Sequence, residues 1–254
     1  MYRVRAFLAT VFIALATIIG SLTALVLRVI DRSGDLVVDL ARLWSRAVLA
    51  VAGVKVQVEW KEPLQPGQAY VFMANHESSV DIWSLLVAIP LRFRMIAKKQ
   101  LLRIPLFGWA MWAGRFIFID RVNAVAARRS IDEAKRRIRG GDSVLIFPEG
   151  TRSRDGSLGP FKKGGFHLAI DSGVPVVPVA LHGTGRAMPR GSLFIRPGVV
   201  RATVGAPIPT AGLTEEDRHK LLEVVRSRIA NMLAAPGAAA APPDPGAVGA
   251  SGAQ

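Results

Sequence analysis

The sequence predicts an α/β protein with a mixed, mainly parallel sheet flanked by helices, preceded by an N-terminal membrane-embedded helical segment. Between residues 53 and 204, short β-branched runs alternate with helical patterns, which is typical of βαβ units. Before them, residues 6–27 form an uncharged apolar run of 22 residues. As a helix this run would extend about 33 Å, close to the hydrocarbon thickness of a bilayer.

The N-terminal residues 1–52 therefore form a membrane-associated region of their own. A cleaved signal peptide is disfavoured, because the apolar run exceeds the usual h-region of about 7–15 residues. A second helical pattern, Leu36–Ala52, follows directly, so one spanning helix and a two-helix hairpin in one leaflet both remain open. The Lys/Arg bias around the run mildly favours a cytoplasmic face for the domain that follows.

An α/β domain is expected over residues 53–234. It opens with Val54, Val56, Val58 and Trp60 alternating with polar residues, the period of a half-buried strand. Later apolar runs predict strands at Tyr70–Met73, Arg94–Ala97, Phe116–Ile119, Val144–Phe147, Val176–Leu181, Leu193–Ile195 and Val199–Val204. Helical patterns fall at Val80–Ala88, Ala124–Arg139, Gly164–Asp171 and Thr214–Leu233.

The last of these helices opens with Thr214 and, three residues later, Asp217, a helix-start signature. Beyond it, residues 235–254 contain 16 Ala, Pro or Gly among 20 positions. Such a composition cannot bury a core, so we expect a disordered tail.

Composition excludes some chemistry and localises the charge. The 254 residues include no cysteine, so disulfides, thiolate metal sites and acyl-cysteine intermediates are excluded. The formal net charge is +14, which suits nucleic acid, an anionic lipid surface or an acidic substrate. Between residues 92 and 163, 17 basic residues face 6 acidic ones, so the charge surrounds the motifs below.

The most informative motif is Asn75-His76-Glu77-Ser78-Ser79-Val80-Asp81, which lies between a predicted strand and a predicted helix. On one continuous helix, His76 and Asp81 would be about 140° apart. They can meet only if the histidine lies in the loop and the aspartate in the first helical turn, with Ser78 or Ser79 as the N-cap. Asp81 would then hold Nδ1, leaving Nε2 as a general base. The alternative is a histidine that caps the helix or satisfies a buried carbonyl.

Two further motifs follow predicted strands. Phe147-Pro148-Glu149-Gly150-Thr151-Arg152-Ser153 offers a glycine for close approach and an arginine fork for phosphate. Gly114-Arg115-Phe116-Ile117-Phe118-Ile119-Asp120-Arg121 places a second arginine at a strand end. Taken alone, these would be a plain turn and a surface ion pair.

Together the motifs resemble one family. The run NHESSVDIW resembles the NHxxxxD signature of the glycerolipid acyltransferases of the lysophosphatidate acyltransferase (PlsC-like) family. GRFIFIDR resembles its second block, FPEGTRS its third and VPVVPV its fourth, in the family's order. The resemblance covers about residues 53–205, and four ordered motifs are far more specific than one.

The resemblance implies an acyltransferase of phospholipid biosynthesis. His76 and Asp81 would be catalytic, activating the sn-2 hydroxyl of lysophosphatidate to attack an acyl-CoA or acyl-carrier-protein thioester and give phosphatidate. No cofactor and no metal are expected. Other acceptors remain open within the family: another lysophospholipid, a lyso-aminolipid or glycerol 3-phosphate.

The resemblance also implies a set of residues that bind the substrate. The third block, with Arg121, would hold the glycerol-phosphate head, and lysines after the third predicted strand and after the third block would add positive charge nearby. These residues are Arg121, Glu149, Gly150, Thr151, Arg152, Lys98, Lys99 and Lys163, with Lys162 as the alternative to Lys163. Solvated surface lysines are the competing interpretation.

One apolar segment and the overall charge each allow a further interpretation. The segment Leu101–Trp112 is rich in large apolar and aromatic residues, which suits a membrane interface or an acyl-chain wall, and equally a plain core. A non-catalytic module binding anionic lipid or nucleic acid would explain the charge but leaves the motifs unexplained, so no nucleic-acid partner is expected.

Overall fold

The computed structural model describes residues 2–120 and 124–235 of the chain. Over these residues, strands form one seven-stranded sheet in the order β1-β7-β6-β2-β5-β3-β4. The strands are β1 Val54–Trp60, β2 Val71–Ala74, β3 Phe93–Lys98, β4 Ile117–Ile119, β5 Ser143–Ile146, β6 Val176–His182 and β7 Gly198–Val204. The helices are α1 Tyr2–Ile30, α2 Asp35–Ala52, α3 Val80–Ala88, α4 Phe107–Ala113, α5 Ala124–Arg139, α6 Gly164–Ser172, α7 Thr184–Ala187 and α8 Arg218–Ala234, with 3₁₀ turns at Lys99–Arg103 and Glu215–Asp217.

The sheet is mainly parallel, as the alternation of strands and helices predicted. Strands β4, β3, β5, β2 and β6 are parallel neighbours, whereas β7 runs antiparallel to β6 and parallel to β1. The parallel strands therefore all end at one edge of the sheet, where β1 and β7 begin. We call this side, with the loops that follow β2, β3, β5 and β6, the carboxyl edge.

Helices cover both faces of the sheet, and the central strand β2 is therefore buried on both sides. Phe72 and Ala74 pack in one core with residues of α2 and α3, while Val71 and Met73 pack in the other with residues of α5, α6 and α8. Alternate residues of a strand point to opposite faces, so a fully apolar strand is expected at the centre of such a three-layer arrangement.

Helix α1 is the apolar helix predicted at the N-terminus. Among the described residues, its portion Phe7–Ile30 alone is long and apolar enough to cross a membrane by length and composition. The helix packs on α2 and α4 and leaves large apolar side chains exposed, among them Phe7, Leu8, Leu15, Ile19, Leu22, Val26, Val29 and Ile30.

A cluster of ion pairs joins this N-terminal region to the sheet. The buried guanidinium of Arg94 on β3 donates to the Asp35 carboxylate at 2.5 Å and to the Ser33 carbonyl at 3.1 Å. Arg92 donates to both Asp35 and Asp39 on the first turns of α2. A buried arginine that lost these partners would leave an uncompensated charge, so the start of α2 is fixed against β3.

Most predicted elements are confirmed with small shifts at their ends, and α3 and α5 have the predicted bounds. The capping box at Thr214 and Asp217 is present. The predicted strand Leu193–Ile195 is wrong, because this segment lies in a loop between α7 and β7. The plain-core interpretation of residues 101–112 is also wrong for Ile104, Trp109 and Trp112, which are exposed. The predicted tail lies outside the described residues from 236 onward.

Candidate active site

The site lies at the carboxyl edge because three motif-bearing strands are neighbours there. Strand β2, which leads into His76, is paired with β5 on one side and with β6 on the other. The Phe147–Ser153 motif follows β5, and the fourth block, residues 174–179, runs into β6, where Val179 pairs with Ala74 at the end of β2. Segments that are about 70 and 100 residues apart in sequence are thereby brought together, as expected for a site at the ends of parallel strands.

Asn75 anchors the histidine loop to β6. Its side-chain Nδ2 donates to the Leu181 carbonyl at 2.9 Å, and its Oδ1 accepts from the Leu181 N–H at 2.7 Å. Asn75 is buried, and a buried amide is stable only when its polar atoms are paired. Both polar atoms of the Asn75 side-chain amide are therefore paired, which fixes the residue before the histidine.

His76 and Asp81 form the contact that their spacing predicted. The Nδ1 atom of His76 lies 2.6 Å from Oδ2 of Asp81, and Asp81 is fully buried. Because a carboxylate accepts, Nδ1 is the donor in this contact, which leaves Nε2 as the ring nitrogen that can take a proton from a substrate. Among the described residues, none hydrogen-bonds Nε2, and the ring retains partial exposure toward solvent.

The Asp81 carboxylate also shapes the loop. Its Oδ2 accepts from the backbone N–H groups of Glu77 and Ser78, each at 2.8 Å. The predicted serine cap takes an unexpected form: Ser79 occupies the N-cap position without a side-chain cap, and the Ser78 hydroxyl accepts from the Val80 N–H at 3.3 Å. One carboxylate oxygen therefore orients the imidazole and closes the turn that holds it.

No serine of the motif is placed as a nucleophile for His76. The Ser78 hydroxyl donates to the Met188 carbonyl at 2.8 Å and is buried. The imidazole instead stacks on Phe147, with ring centroids 3.9 Å apart and planes at 15°. The arrangement can therefore activate an external hydroxyl at Nε2 while its plane is held by an aromatic face.

Glu149 has a different environment from the one its motif suggested. Its Oε1 accepts from the His76 backbone N–H at 2.9 Å and its Oε2 from the Gly159 N–H at 3.0 Å. Burial raises the pKa of this carboxyl, while the two backbone N–H groups oppose the rise. Both oxygens are engaged with the protein's own backbone, so Glu149 positions His76 and the loop around Gly159.

Glu77 is a second carboxyl beside the histidine; it is partly buried, and no sequence pattern singles it out. Its Oε2 accepts from the Gly185 N–H at 3.2 Å. Burial, followed by the negative charge of Asp81, raises the pKa of Glu77 to about 7. The contact links the His76 loop to α7 across the carboxyl edge.

The turn after β5 presents the expected cationic groups. Gly150 has a φ of 71°, and a Cβ there would lie 2.9 Å from Cε and 3.0 Å from Nζ of Lys162. A side chain at this position would therefore displace the lysine. Thr151 and Arg152 follow and are exposed. Residues 150–158 thus form an open turn beside Lys162, here called the basic turn. It is tied to the histidine by a bond from the Ser153 N–H to the His76 carbonyl at 2.7 Å.

The remaining predicted binding residues are less closely placed. Lys98 ends β3, and Lys99, which begins the next 3₁₀ turn, lies 3.4 Å from the Asp120 carboxylate. Lys163 is exposed at the N-cap position of α6. Lys162, the alternative, lies beside Gly150. Arg121 lies outside the described residues.

Within residues 2–120 and 124–235, no group of three or more His, Asp or Glu side chains is arranged to hold a metal ion. Two of the three histidines outside the motif have protein partners: His167 lies 2.7 Å from Glu215, and His182 lies 3.4 Å from Arg186. The third, His219, is exposed on α8.

A buried acid that contacts a loop histidine, beside a basic turn at the ends of parallel strands, is an arrangement suited to deprotonating an external hydroxyl. A family model described as "Acyltransferase" matches residues 55–182. This chain belongs to the acyltransferase family.

Relatives and a solved structure agree with this assignment. The chain is 34% identical over 196 residues to "1-acyl-sn-glycerol-3-phosphate acyltransferase alpha" of Homo sapiens, covering 74% of this chain and 69% of the relative. It is 36% identical over 189 residues to the chloroplastic acyltransferase BAT2 of Brassica napus, covering 72% of this chain and 54% of the relative. The crystal structure of the 1-acyl-sn-glycerophosphate acyltransferase PlsC from Thermotoga maritima aligns with a TM-score of 0.76 at 29% identity, covering 93% of this chain and 99% of that one.

Proposed function

We propose that this protein transfers a fatty-acyl group from a thioester to the sn-2 hydroxyl of lysophosphatidate, giving phosphatidate. The observation that carries the proposal is the 2.6 Å contact between His76 Nδ1 and buried Asp81 Oδ2 at the carboxyl edge. The names of the human and Brassica napus relatives supply the acceptor class. Other lysophospholipids, a lyso-aminolipid and glycerol 3-phosphate are the competing acceptors.

The reaction needs no acyl-enzyme. Nε2 of His76 takes the proton of the acceptor hydroxyl as its oxygen attacks the thioester carbonyl carbon. The tetrahedral intermediate then collapses, the C–S bond breaks, and the leaving thiolate takes the proton from His76. Asp81 stabilises the imidazolium that forms between these steps. Such general-base catalysis is worth about 10²–10⁴ in rate.

The basic turn is proposed to bind the phosphate of the acceptor. Arg152 is exposed directly after Gly150, and Lys162 lies against that glycine. A guanidinium matches a phosphate with two parallel hydrogen bonds, whereas an ammonium acts as a point charge. Arg121, Lys98, Lys99 and Lys163 remain predicted contributors. Glu149 acts through the backbone of His76.

The donor is proposed to be acyl-CoA or acyl-carrier protein acting as a co-substrate, with no bound cofactor or metal. Either donor supplies the thioester and takes away the thiol. Because the chemistry at His76 is the same for both, the choice of donor depends on surfaces away from the dyad.

A membrane location is proposed for the reaction. Helix α1 is apolar and largely exposed along its length, and exposed apolar surface of this extent fits lipid. We propose residues 1–52 as the membrane-associated helices, residues 53–234 as the catalytic domain on the cytoplasmic face, and residues 235–254 as a tail outside it.

A panel of acceptors tests the function. The full chain in mixed vesicles is offered lysophosphatidate, lysophosphatidylglycerol and glycerol 3-phosphate, each with acyl-CoA and with acyl-carrier protein. We expect the highest kcat/KM for lysophosphatidate with one of the two donors. The His76→Ala variant should lose transfer in every arm while it still binds vesicles. Turnover by His76→Ala equal to that of the unaltered protein would refute the proposed chemistry.

A further inference from the structure

The loop between α7 and β7 exposes apolar residues that the sequence suggests should be buried. Leu193 is 76% exposed and Phe194 is 48% exposed, while Ile195 beside them is buried. Neighbouring exposed large apolar residues are unfavourable in water unless they serve a contact. The loop containing them, residues 189–196, is here called the Leu-Phe loop.

The Leu-Phe loop is held in this conformation by its own hydrogen bonds. The Ser192 hydroxyl accepts from the Phe194 N–H at 3.0 Å and donates to the Phe194 carbonyl at 2.9 Å. The Arg196 N–H donates to the Ala187 carbonyl at 2.7 Å. Together with buried Ile195, these bonds hold the two exposed side chains on a defined turn.

The Leu-Phe loop lies at the same edge of the sheet as the histidine. The Ser78 hydroxyl of the histidine loop donates to the Met188 carbonyl, just before the Leu-Phe loop, at 2.8 Å. After the loop, the Gly198 N–H donates to the Gly53 carbonyl at the end of α2. The loop is thereby connected both to the catalytic motif and to the N-terminal helices.

Apolar surface is also exposed on the other side of His76. The sheet order places β1 and β7 at one end and β3 and β4 at the other. After β3, at the same carboxyl edge, Ile104, Trp109 and Trp112 are exposed, and α4 packs against α1. Exposed apolar residues therefore flank the site from both ends of the sheet.

Along the chain, the charged residues next to the Leu-Phe loop are all basic. The loop contains Arg190 and Arg196, and Arg186 and Arg201 lie near it in sequence. No Asp or Glu occurs between His182 and Thr214. Arg190 and Arg196 are exposed on either side of the apolar pair. Apolar side chains flanked by arginines match an interface in which acyl chains lie beneath anionic head groups.

We propose that the Leu-Phe loop is a second membrane contact, in addition to α1. Leu193 and Phe194 enter the boundary between head groups and acyl chains of an anionic bilayer, and Arg190 and Arg196 bind lipid phosphates. The carboxyl edge is thereby held against the membrane surface, where a lysolipid can reach His76 without leaving the bilayer. The inference rests on the proposed action on a lipid acceptor.

The absence of cysteine from the sequence allows a direct test. A single cysteine replaces Phe194 in the full chain and carries an environment-sensitive fluorophore. The matched control is Glu62→Cys, an exposed site just after β1 at the opposite edge of the sheet. Both proteins are reconstituted in vesicles of phosphatidylcholine with phosphatidylglycerol and in vesicles of phosphatidylcholine alone, and an aqueous quencher is added.

In anionic vesicles we expect the label at 194 to be quenched about threefold to tenfold less than the label at 62. The protection should shrink in phosphatidylcholine alone and in an Arg190→Gln/Arg196→Gln background. Equal quenching at 194 and 62 would overturn the proposal. Protection that appears only when the protein concentration is raised would also overturn it, since a second copy would then cover the loop.

An activity measurement separates this proposal from the proposed function. Leu193→Ser/Phe194→Ser should raise the apparent KM for long-chain lysophosphatidate presented in vesicles and leave turnover of a soluble short-chain analogue unchanged. If the double variant behaves as the unaltered protein with both acceptors, the second contact is refuted and the acyltransferase chemistry stands. If His76→Ala retains turnover, the proposed function itself fails.

Discussion

The histidine loop, residues 75–81, and the basic turn, residues 150–158, lie beside each other but are built differently. In the first, Asn75, Ser78 and Asp81 are buried. Asn75 and Ser78 hydrogen-bond across the fold, and Asp81 accepts from the loop itself. In the second, Thr151, Arg152 and Arg154 are exposed, and the side-chain bonds of Ser153 and Asp155 stay within the turn.

This difference fits two tasks. A general base must be held in one orientation, because proton transfer depends on the position of a single nitrogen. A phosphate site can be open, because Arg and Lys side chains reach their ligand from flexible stems. The histidine loop should therefore respond to substitution through catalysis and stability, and the basic turn through substrate affinity.

The largest effect is expected in the histidine loop from Asp81→Asn. The amide oxygen can still accept from the Glu77 and Ser78 N–H groups, so the fold should persist, while the charge that supports the imidazolium is lost. We expect kcat to fall about 10²–10⁴-fold with little change in KM. Steady-state kinetics with a melting curve checks this; a kcat within about twofold of the original would contradict it.

Asn75→Ala should destabilise the protein rather than alter its chemistry directly. The substitution removes two buried hydrogen bonds and leaves the Leu181 N–H and carbonyl without their partner. We expect the free energy of unfolding to fall by about 2–4 kcal/mol, measured by urea denaturation. Ser153→Ala, in the more exposed turn, is the matched control and should cost less than about 1 kcal/mol.

Arg152→Ala should act on the acceptor alone. Loss of a charge-assisted pair with phosphate should raise KM for lysophosphatidate about 10–10²-fold and change kcat less, and Arg152→Lys should recover part of the loss. Arg154→Ala, exposed in the same turn, serves as the control. Equal effects of the two alanine variants would show that the turn contributes only general positive charge.

Glu77→Gln should produce the smallest effect, visible as a pH dependence of stability. Because the folded-state pKa of Glu77 is raised to about 7 from 4.5, the folded state holds a proton that the unfolded state releases between these values. The contribution of this proton to the free energy of unfolding is full below pH 4.5 and is lost as the pH rises to 7. Because glutamine does not ionise, the free energy of unfolding of Glu77→Gln should rise relative to that of the original protein by on the order of 1 kcal/mol between pH 4.5 and 7. A constant difference in chemical denaturation from pH 4.5 to 8 would contradict this.

The sequence predicted what depends on local pattern. The bounds of α3 and α5 follow from their helical patterns, and the His76 to Asp81 contact follows from a loop that runs into a helix. The strand at Leu193–Ile195 was predicted from three apolar residues, but the pattern cannot distinguish a buried strand from an exposed loop.

Contacts between distant segments could not be predicted in the same way. The partner of Asn75 is 106 residues away in sequence, and His76, one of the two partners of Glu149, is 73 residues away. No periodicity connects residues so far apart. The stacking of Phe147 on His76 depends on β2 and β5 being neighbours, which the alternation of elements does not specify. Glu77 gave no signal because its burial arises from α7, on another part of the chain.

A double-mutant cycle on His76 and Asp81 tests the central claim most directly. Transfer to lysophosphatidate is measured for His76→Ala, Asp81→Ala and the double variant, each checked for folding by its melting curve. If Asp81 acts by orienting and stabilising the His76 ring, the double variant should be no slower than His76→Ala alone. Losses that multiply in the double variant would show that the two residues act independently and would contradict this account.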